Sequence, residues 1–209
     1  MFKFQLILKF CLILIVFLTG AIHHSIAQTS YKSYKYSLKD GLSSELCRDI
    51  YKDKEGFVWI SSDKGLNRYD GNSIYTFRYN PEDNYSLASN SCNVIFEDSQ
   101  DRLWINTDEG ISLYDRKKQT FTNYYPDPDI LPLQGISYTD MSEDHLGRIW
   151  IGGYFDVLIF NPATGRFSKS GWYDFASKSK IIAEEKRNSI TQNVVRKSKD
   201  ELWILSVYG

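Results

Sequence analysis

A tryptophan recurs in this chain at nearly constant spacing, and no other feature of the sequence restricts the fold as strongly. The intervals along the series are 45, 46 and 53 residues. Each tryptophan follows an aliphatic residue, precedes isoleucine, and has a turn-forming Gly or Asp three positions upstream. A period of this size indicates a repeat architecture, in which one supersecondary unit packs against the next. The four residues are Trp59, Trp104, Trp150 and Trp203.

Each repeat contains four short segments with the composition of β-strands. In the first repeat they are residues 47–51, 58–61, 66–69 and 74–77, separated by turns rich in Asp and Gly. Segments this short, with so many β-branched and aromatic residues, do not form helices. Four antiparallel strands per repeat is the content of one β-propeller blade. We therefore predict an all-β fold of four-stranded propeller blades, about three and a half of them, in an incomplete ring.

Other repeated positions have structural explanations. We expect each tryptophan to pack across the space between blades and each aspartate six positions upstream to bind backbone amides of its own turn. Glycines in the turn after the second strand suit a positive φ, and an aromatic residue closes each unit. The aspartates are Asp53, Asp98 and Asp144; the glycines are Gly65, Gly110 and Gly209; the closing aromatics are Phe77, Phe121 and Phe167.

The first 27 residues have the order of regions found in a secretory signal peptide. Lysines precede an uncharged stretch over residues 10–22, and Ser25-Ile26-Ala27 forms a cleavage site. The alternative, an uncleaved anchor, needs an apolar core of about 20 residues. We predict a signal peptide at residues 1–27 and a partial propeller at 28–209. The predicted blades cover residues 36–79, 87–124, 133–168 and 189–209, the last of them truncated.

Charge and composition exclude several classes of site. The chain has 25 basic and 26 acidic residues, which argues against nucleic-acid binding by bulk electrostatics. His145 is the one histidine after the predicted leader, in an expected exposed turn, so we predict no metal, no cofactor and no catalytic residue. Cys47 and Cys92 occupy equivalent strand positions. They are expected to be small buried side chains, with a disulfide as the open alternative. Asp127 and Asp129 are too few ligands to indicate a calcium site.

Two stretches of the chain resemble a known repeat. Residues 103–115, read as L-W-I-N-T-D-E-G-I-S-L-Y-D, are similar to the two-component regulator propeller repeat L-W-I-G-T-x-x-G-L-x-x-Y-D. Residues 87–91, L-A-S-N-S, are similar to the L-S-S-N-S that enters each blade of that family. The third repeat departs from the pattern at residues 154–156. The resemblance extends over residues 36–209.

The resemblance implies a periplasmic sensor region of a hybrid two-component histidine kinase. In that family, an oligosaccharide signal alters a periplasmic dimer, and a phosphorelay then switches on glycan-use genes. We accordingly expect an N-terminal fragment of such a sensor, periplasmic after leader cleavage, whose parent protein sits in the inner membrane. Its expected partners are a carbohydrate and, through the full-length protein, a second copy. The fragment itself is expected to have no enzymatic activity, to bind no nucleic acid, and to reach the membrane only through regions beyond Gly209.

The loops between blades contain the candidate ligand-binding residues. Aromatic rings there can stack on the apolar faces of sugars, and loops on a rigid scaffold are where binding residues concentrate. The alternative is that these rings rigidify and cover the blade edges. Two other functions also stay open, a secreted propeller enzyme (glycosidase or lyase) and a structural or protein-interaction propeller. The candidates are Tyr79, Tyr85, Tyr124, Tyr125, Trp172 and Tyr173.

Overall fold

A computed structural model of the chain describes residues 33–128, 130, 138–153 and 157–170, together with the backbone of residues 189–198 and 201–208. The chain separates into two compact units, Met1–Lys35 and Tyr36–Gly209. The predicted leader at residues 1–27 lies outside the described residues and stays a prediction. Within the part of the chain that is described, no helix is long and apolar enough to cross a membrane.

The second unit is built from antiparallel sheets and one short 3₁₀ helix, Leu38–Asp40. Sheet 1 contains β1 (Cys47–Lys52), β2 (Val58–Ser62), β3 (Gly65–Tyr69) and β4 (Ile74–Phe77). Sheet 2 contains β5 (Cys92–Glu97), β6 (Leu103–Thr107), β7 (Ile111–Asp115) and β8 (Thr120–Tyr124). Sheet 3 contains β9 (Tyr138–Glu143), β10 (Ile149–Gly153), β11 (Val157–Asn161) and β12 (Arg166–Lys169). β13 (Ser189–Ser198) and β14 (Glu201–Tyr208) form a two-stranded sheet.

Within every sheet, strands that are consecutive in sequence lie side by side, and all of the strand pairs are antiparallel. The sheets in turn follow one another through their first strands: β1 contacts β5, β5 contacts β9, and β9 contacts β13. At the first junction the backbone N–H of Ile95 donates to Asp49 Oδ2 at 2.8 Å. The first strand of each sheet is therefore innermost, as in propeller blades. The predicted all-β fold of four-stranded blades is confirmed.

Two hydrophobic cores fill the spaces between consecutive sheets, and a tryptophan lies at the centre of each. Trp59 of sheet 1 meets Tyr114 of sheet 2 edge to face, with ring centroids 4.8 Å apart. Trp104 of sheet 2 meets Phe160 of sheet 3 in the same way at 5.4 Å. Both indoles are almost completely buried. The prediction that the repeated tryptophan packs across to the next sheet is confirmed at these two junctions.

The turn aspartates bind backbone amides as predicted and also hold the tryptophans. Asp98 Oδ1 accepts from the backbone N–H groups of Gln100 and Arg102, at 2.9 and 3.0 Å. Asp98 Oδ2 accepts from Trp104 Nε1 at 2.7 Å. Equivalent indole bonds join Trp59 to Asp53 and Trp150 to Asp144. The spacing of six residues between Asp and Trp therefore has a direct cause, which the sequence analysis missed.

The closing aromatics Phe121 and Phe167 occupy equivalent positions, opposite Tyr114 and Phe160, but Phe77 does not. Phe121 pairs with Tyr114, whereas Phe77 pairs with Leu66. The reason is that the β3–β4 hairpin closes earlier than the β7–β8 hairpin, which places Phe77 in register with Tyr124. Phe77 accordingly faces sheet 2, where its ring lies 5.3 Å from that of Phe121.

The two cysteines differ in environment, and both are free thiols. Burial raises the pKa of the Cys92 thiol to about 12, so the prediction of a buried apolar side chain is confirmed for Cys92. The same prediction is wrong for Cys47, which is exposed. The difference follows from position, since β5 lies between β1 and β9 whereas β1 has only β5 beside it among the described first strands.

Candidate functional site

A cavity of about 360 Å³ opens at the outer edge of sheet 2. One wall is the chain segment that leaves sheet 1 after β4, and the other is β8 with the residues that follow it. The volume lies near the lower end of the range of small-molecule sites, about 300–1,000 Å³. The lining residues are Tyr79, Asn80, Pro81, Asp83, Asn84, Tyr85, Ser86, Leu87, Phe121, Thr122, Asn123 and Tyr125.

The first wall, residues 79–86, is held rigid by hydrogen bonds within itself. Ser86 Oγ accepts from Asn80 N at 2.9 Å and lies 2.8 Å from the carbonyl oxygen of Asp83, to which it donates. Asp83 Oδ1 accepts from Tyr85 N at 2.9 Å. Asn and Asp side chains commonly bind backbone two residues onward in such turns. The segment therefore has a defined shape before any ligand arrives.

Hydrogen bonds attach the first wall to β8. The backbone N–H of Phe121 donates to the carbonyl oxygen of Tyr85 at 2.8 Å. Asn123 Nδ2 donates to the carbonyl oxygen of Ser86 at 2.9 Å, and Asn123 Oδ1 lies 2.7 Å from Ser112 Oγ. Both walls therefore move with sheet 2, although the first wall is the connection from sheet 1.

Tyr125 is positioned by the turn between β6 and β7. A side chain at Gly110 would place its Cβ 2.3 Å from the Tyr124 carbonyl oxygen and 3.2 Å from Tyr125 Cδ1. The predicted positive φ is wrong for Gly110 and right for Gly65, where φ is 133°. Gly110 is required instead because backbone approaches it closely.

The Tyr79 phenol lies near enough to Tyr125 to affect the pKa of Tyr125. Burial raises the pKa of Tyr125, Tyr79 and Glu109 raise it further, and a hydrogen bond with Asn123 opposes them. Tyr79, Tyr85 and Tyr125 are nevertheless 45%, 65% and 54% exposed. Their rings therefore keep free surface around the cavity, and aromatic surface of this kind stacks on apolar ligand faces.

The structure gathers three of the six predicted site residues around this one cavity: Tyr79, Tyr85 and Tyr125. Tyr124 lies elsewhere, with its ring 5.0 Å from that of Phe160 in the core between sheets 2 and 3. Trp172 and Tyr173 lie outside the described residues. A ligand-binding role for any of them stays a prediction.

Polar residues of the cavity were not among the predicted site residues. Asn80 and Asp83 stand in a loop whose composition indicates a turn, so the sequence gives them a structural explanation. Thr122 and Asn123 belong to β8, where alternating polar residues indicate only a solvent-facing strand. Their convergence depends on the path of the chain between the sheets.

Other candidate groups stand apart from the cavity. His145 is exposed in the turn between β9 and β10, and Asp127 is exposed after β8, while Asp129 lies outside the described residues. Across the described part of the chain, no group of three or more His, Cys, Asp or Glu side chains could hold a metal ion.

Residues 86–109 match the family model of the two component regulator propeller. The matched segment begins at Ser86 in the cavity wall and ends at Glu109 in the β6–β7 turn. The predicted resemblance to this repeat is confirmed.

One curated relative is histidine kinase P4 of Formosa agariphila, with 35% identity over 79 residues. The aligned part is 38% of this chain and 6% of that protein. Among solved structures, the extracellular domain of a putative hybrid two-component system from B. thetaiotaomicron matches with a TM-score of 0.63 and 22% identity. That match covers 82% of this chain and 23% of the other.

A virginiamycin B lyase from Staphylococcus aureus has a similar fold, with a TM-score of 0.52 and 11% identity. It covers 76% of this chain and 48% of the lyase. At such identities both structural matches show the fold alone. The chain spans about a quarter of the solved two-component domain and a much smaller part of the curated kinase.

Proposed function

We propose that this chain, which carries a two-component regulator propeller repeat, is part of the periplasmic sensor region of a hybrid histidine kinase and binds an oligosaccharide. The repeat match and the histidine kinase relative support the signalling assignment. The predicted leader supports export to the periplasm. The sensor reports binding to a kinase elsewhere in the parent protein, so this chain has no catalytic role of its own.

The convergence of Tyr79, Tyr85 and Tyr125 on one cavity is the observation that carries the proposed ligand class. Three exposed rings supply faces on which pyranose rings stack. The carboxamides of Asn80 and Asn84 and the carboxylate of Asp83 supply hydrogen-bond partners for hydroxyl groups. Aromatic faces and convergent polar groups in one concave site are features of small-molecule sites.

The cavity favours binding over hydrolysis. Asp83 is the one carboxylate among its lining residues. Most glycosidases need two, one as acid and the other as base or nucleophile. A sugar bound at this site would therefore be released without being hydrolysed.

The position of the cavity suggests how binding is transmitted. Its first wall is the connection between sheets 1 and 2, and its second wall is the outer strand of sheet 2. Since both walls are hydrogen-bonded to sheet 2, a bound ligand favours the state in which this connection from sheet 1 lies on β8. In the parent homodimer, that preference would alter the relative placement of the two copies.

A genetic experiment tests this proposal in the source bacterium. The gene that encodes the chain is deleted, and transcripts are measured on a panel of polysaccharides as sole carbon sources. We expect the induction of glycan-use genes to be lost on one polysaccharide and retained on the others. Unchanged induction on every polysaccharide would contradict the sensor assignment.

Complementation then tests the cavity. A gene copy with Tyr85→Ala is expected to restore little of the response. A copy with Tyr75→Ala, which removes an exposed tyrosine outside the cavity, is expected to restore it fully. Full rescue by Tyr85→Ala would place the ligand elsewhere.

A further inference from the structure

We infer that the cavity accepts uncharged or amine-bearing saccharides and rejects anionic ones such as uronates. This inference rests on the proposed function, because it concerns the ligand of the same site. It follows from the charges, the backbone donors and the ring faces that surround the cavity.

The side chains of the cavity carry negative charge and no positive charge. Asp83 is a lining residue, and none of the lining residues is Lys, Arg or His. Glu109 lies near enough to raise the pKa of Tyr125. The adjacent cation, Arg78, is turned away, with its Nε donating to the carbonyl oxygen of Lys64 at 3.3 Å.

Backbone N–H groups are the other means by which a protein holds an anion, since successive free amides form an anion-binding nest. In the first wall no two successive backbone N–H groups are left to form such a nest, because every residue except Pro81 and Asn84 already donates. Tyr79 N donates to Asn90 Oδ1, and Glu82 N donates to Asn80 Oδ1. The N–H groups of Asn80, Asp83, Tyr85 and Ser86 also donate within the loop. Pro81 has none.

The side-chain groups that remain are uncharged donors and acceptors, the Asp83 carboxylate and aromatic faces. Carboxylate and carboxamide oxygens accept from sugar hydroxyl or ammonium groups. Ring faces carry partial negative charge, which attracts a cation and repels an anion. A uronate would lose hydration without gaining a charged partner and would lie near the Asp83 carboxylate, and like-charge contacts of this kind give specificity against a competing ligand.

The test compares disaccharides that share linkage and stereochemistry and differ in charge. Galactobiose is paired with digalacturonate, and cellobiose is paired with the glucosamine disaccharide. Calorimetric titration of the full chain measures each affinity at low ionic strength, where exposed charges are least screened. We expect galactobiose to bind at least about tenfold more tightly than digalacturonate, and the glucosamine disaccharide to bind at least as tightly as cellobiose.

Two substitutions test whether the cavity causes this selectivity against anionic sugars. Asp83→Asn keeps the oxygen that accepts from Tyr85 N and removes the charge. It is therefore expected to reduce the difference in affinity between the two sugars of each pair. Glu45→Gln removes an exposed charge outside the cavity and is expected to leave the difference unchanged.

Each other result has a definite meaning. Binding of digalacturonate as tightly as galactobiose, or more tightly, would overturn the inference and leave the proposed sensor function standing. Binding of none of these sugars would overturn both the inference and the cavity as the saccharide site. The genetic response in the source bacterium would still decide the sensor function separately.

Discussion

The buried turn aspartates each hold a tight turn and an indole together. In sheets 2 and 3 an arginine of the same turn neutralises the carboxylate. Arg102 Nε lies 2.6 Å from Asp98 Oδ2, and Arg148 Nε lies 2.7 Å from Asp144 Oδ2. A carboxylate is tolerated in such a place only when its charge is paired and its oxygens are hydrogen-bonded. The arginine two positions before Trp104 and before Trp150 therefore completes these two turns.

In the β1–β2 turn the residue two positions before the tryptophan is Phe57, which has no charge. An arginine of sheet 2 supplies the positive charge for Asp53 instead. Arg116 Nη1, from the β7–β8 turn, lies 2.7 Å from Asp53 Oδ2. In sheet 3 the residue equivalent to Arg116 is Pro162, which has no charge. The β5–β6 turn of sheet 2 needs no such partner, because Arg102 already neutralises Asp98. The aspartate at this repeated position is thus neutralised differently at the two junctions. At the first, the arginine comes from the neighbouring sheet, and at the second it comes from the same turn.

We predict that Asp98→Ala lowers the free energy of unfolding by about 3 kcal/mol, because several buried donors lose their acceptor. Trp104 Nε1 and the amides of the turn are among these donors. Urea denaturation at low protein concentration, followed by tryptophan fluorescence, measures the change. Glu45→Ala, at an exposed position, is the control and should change stability by less than about 0.5 kcal/mol. Equal stability of the two variants would contradict the prediction.

A pH dependence follows from Asp53. Burial would raise its pKa, but hydrogen bonds from Trp59 and Arg116 and the charge of Arg116 outweigh burial and lower it below the ordinary value of 3.8. Ionised Asp53 therefore stabilises the fold at pH values above 3.8. That contribution is lost as the pH falls through the lowered value.

Arg116→Met should move acid unfolding to higher pH, by roughly half a pH unit, because Asp53 then takes up a proton more easily. Circular dichroism during titration from neutral to acidic pH measures the midpoint. Lys118→Met removes an exposed cation from the same turn and should leave the midpoint in place. A midpoint that is the same in both variants would show that Arg116 does not control Asp53.

At the scale of the elements, short turns set how closely neighbouring strands approach. The β6–β7 turn is closed by the backbone N–H of Thr107, which donates to the carbonyl oxygen of Gly110 at 2.8 Å. The end of β8 crosses directly over this turn, so Gly110 faces the backbone of Tyr124. Gly56, in the β1–β2 turn, has φ of 94° but open space around it. The two glycines are therefore needed for different reasons.

Alanine substitutions distinguish backbone strain at Gly56 from close approach of a neighbouring strand at Gly110. Gly56→Ala should cost about 1 kcal/mol, the strain of a left-handed backbone. Gly110→Ala should cost about 3 kcal/mol, because β8 must shift away from the new methyl group. Since β8 and Tyr125 line the cavity, Gly110→Ala should also weaken saccharide binding, whereas Gly56→Ala should not. Urea denaturation and calorimetric titration measure the two effects, and equal effects of the two substitutions would contradict this explanation.

At the scale of the whole second unit, the burial of equivalent residues depends on whether a neighbouring sheet lies over them. Ile95 of sheet 2 lies against sheet 1 and is 4% exposed, whereas its equivalent Ile50 in sheet 1 is 70% exposed. The sequence places an isoleucine in both positions because both belong to the same repeat. Ile50 therefore leaves apolar surface uncovered on β1, at a position where the repeat normally packs against a neighbouring sheet.

We predict that the isolated chain associates with itself as its concentration rises and is poorly soluble, because apolar surface at Ile50 is left uncovered. Ile50→Lys should reduce association, which sedimentation velocity measures over a range of concentrations. Leu146→Lys places the same charge at an exposed leucine in the β9–β10 turn and should have little effect. A wild-type chain that stays monomeric and melts cooperatively at every concentration would contradict the prediction.

The strands were predictable because each repeat carries complete local information. In the first repeat the observed strands differ from the predicted ones by at most one residue at either end. The turn residues and the alternation of side chains are local signals, and three copies in register reinforce one another. The position of Phe77 was not predictable in the same way, since pairing depends on where the hairpin closes.

The candidate site was predictable only in part. The loop composition pointed to Tyr79, Tyr85 and Tyr125, but it pointed equally to Tyr124. Tyr124 and Tyr125 are adjacent in sequence, and one faces the core whereas the other faces the cavity. Which residue faces the cavity depends on the register of β8 and on the turn at Gly110.

By itself, the sequence determined the repeat, its four strands, and the residues that close its turns and fill its cores. These features depend on side-chain size, turn geometry and alternation, which act within one repeat or between adjacent copies. The tertiary structure alone decided that the loop after β4 lies on β8, that Arg116 reaches Asp53, and that Ile50 stays exposed while Ile95 does not. Those outcomes depend on which surfaces meet, and the same residue type is buried or exposed according to whether a neighbouring sheet covers it.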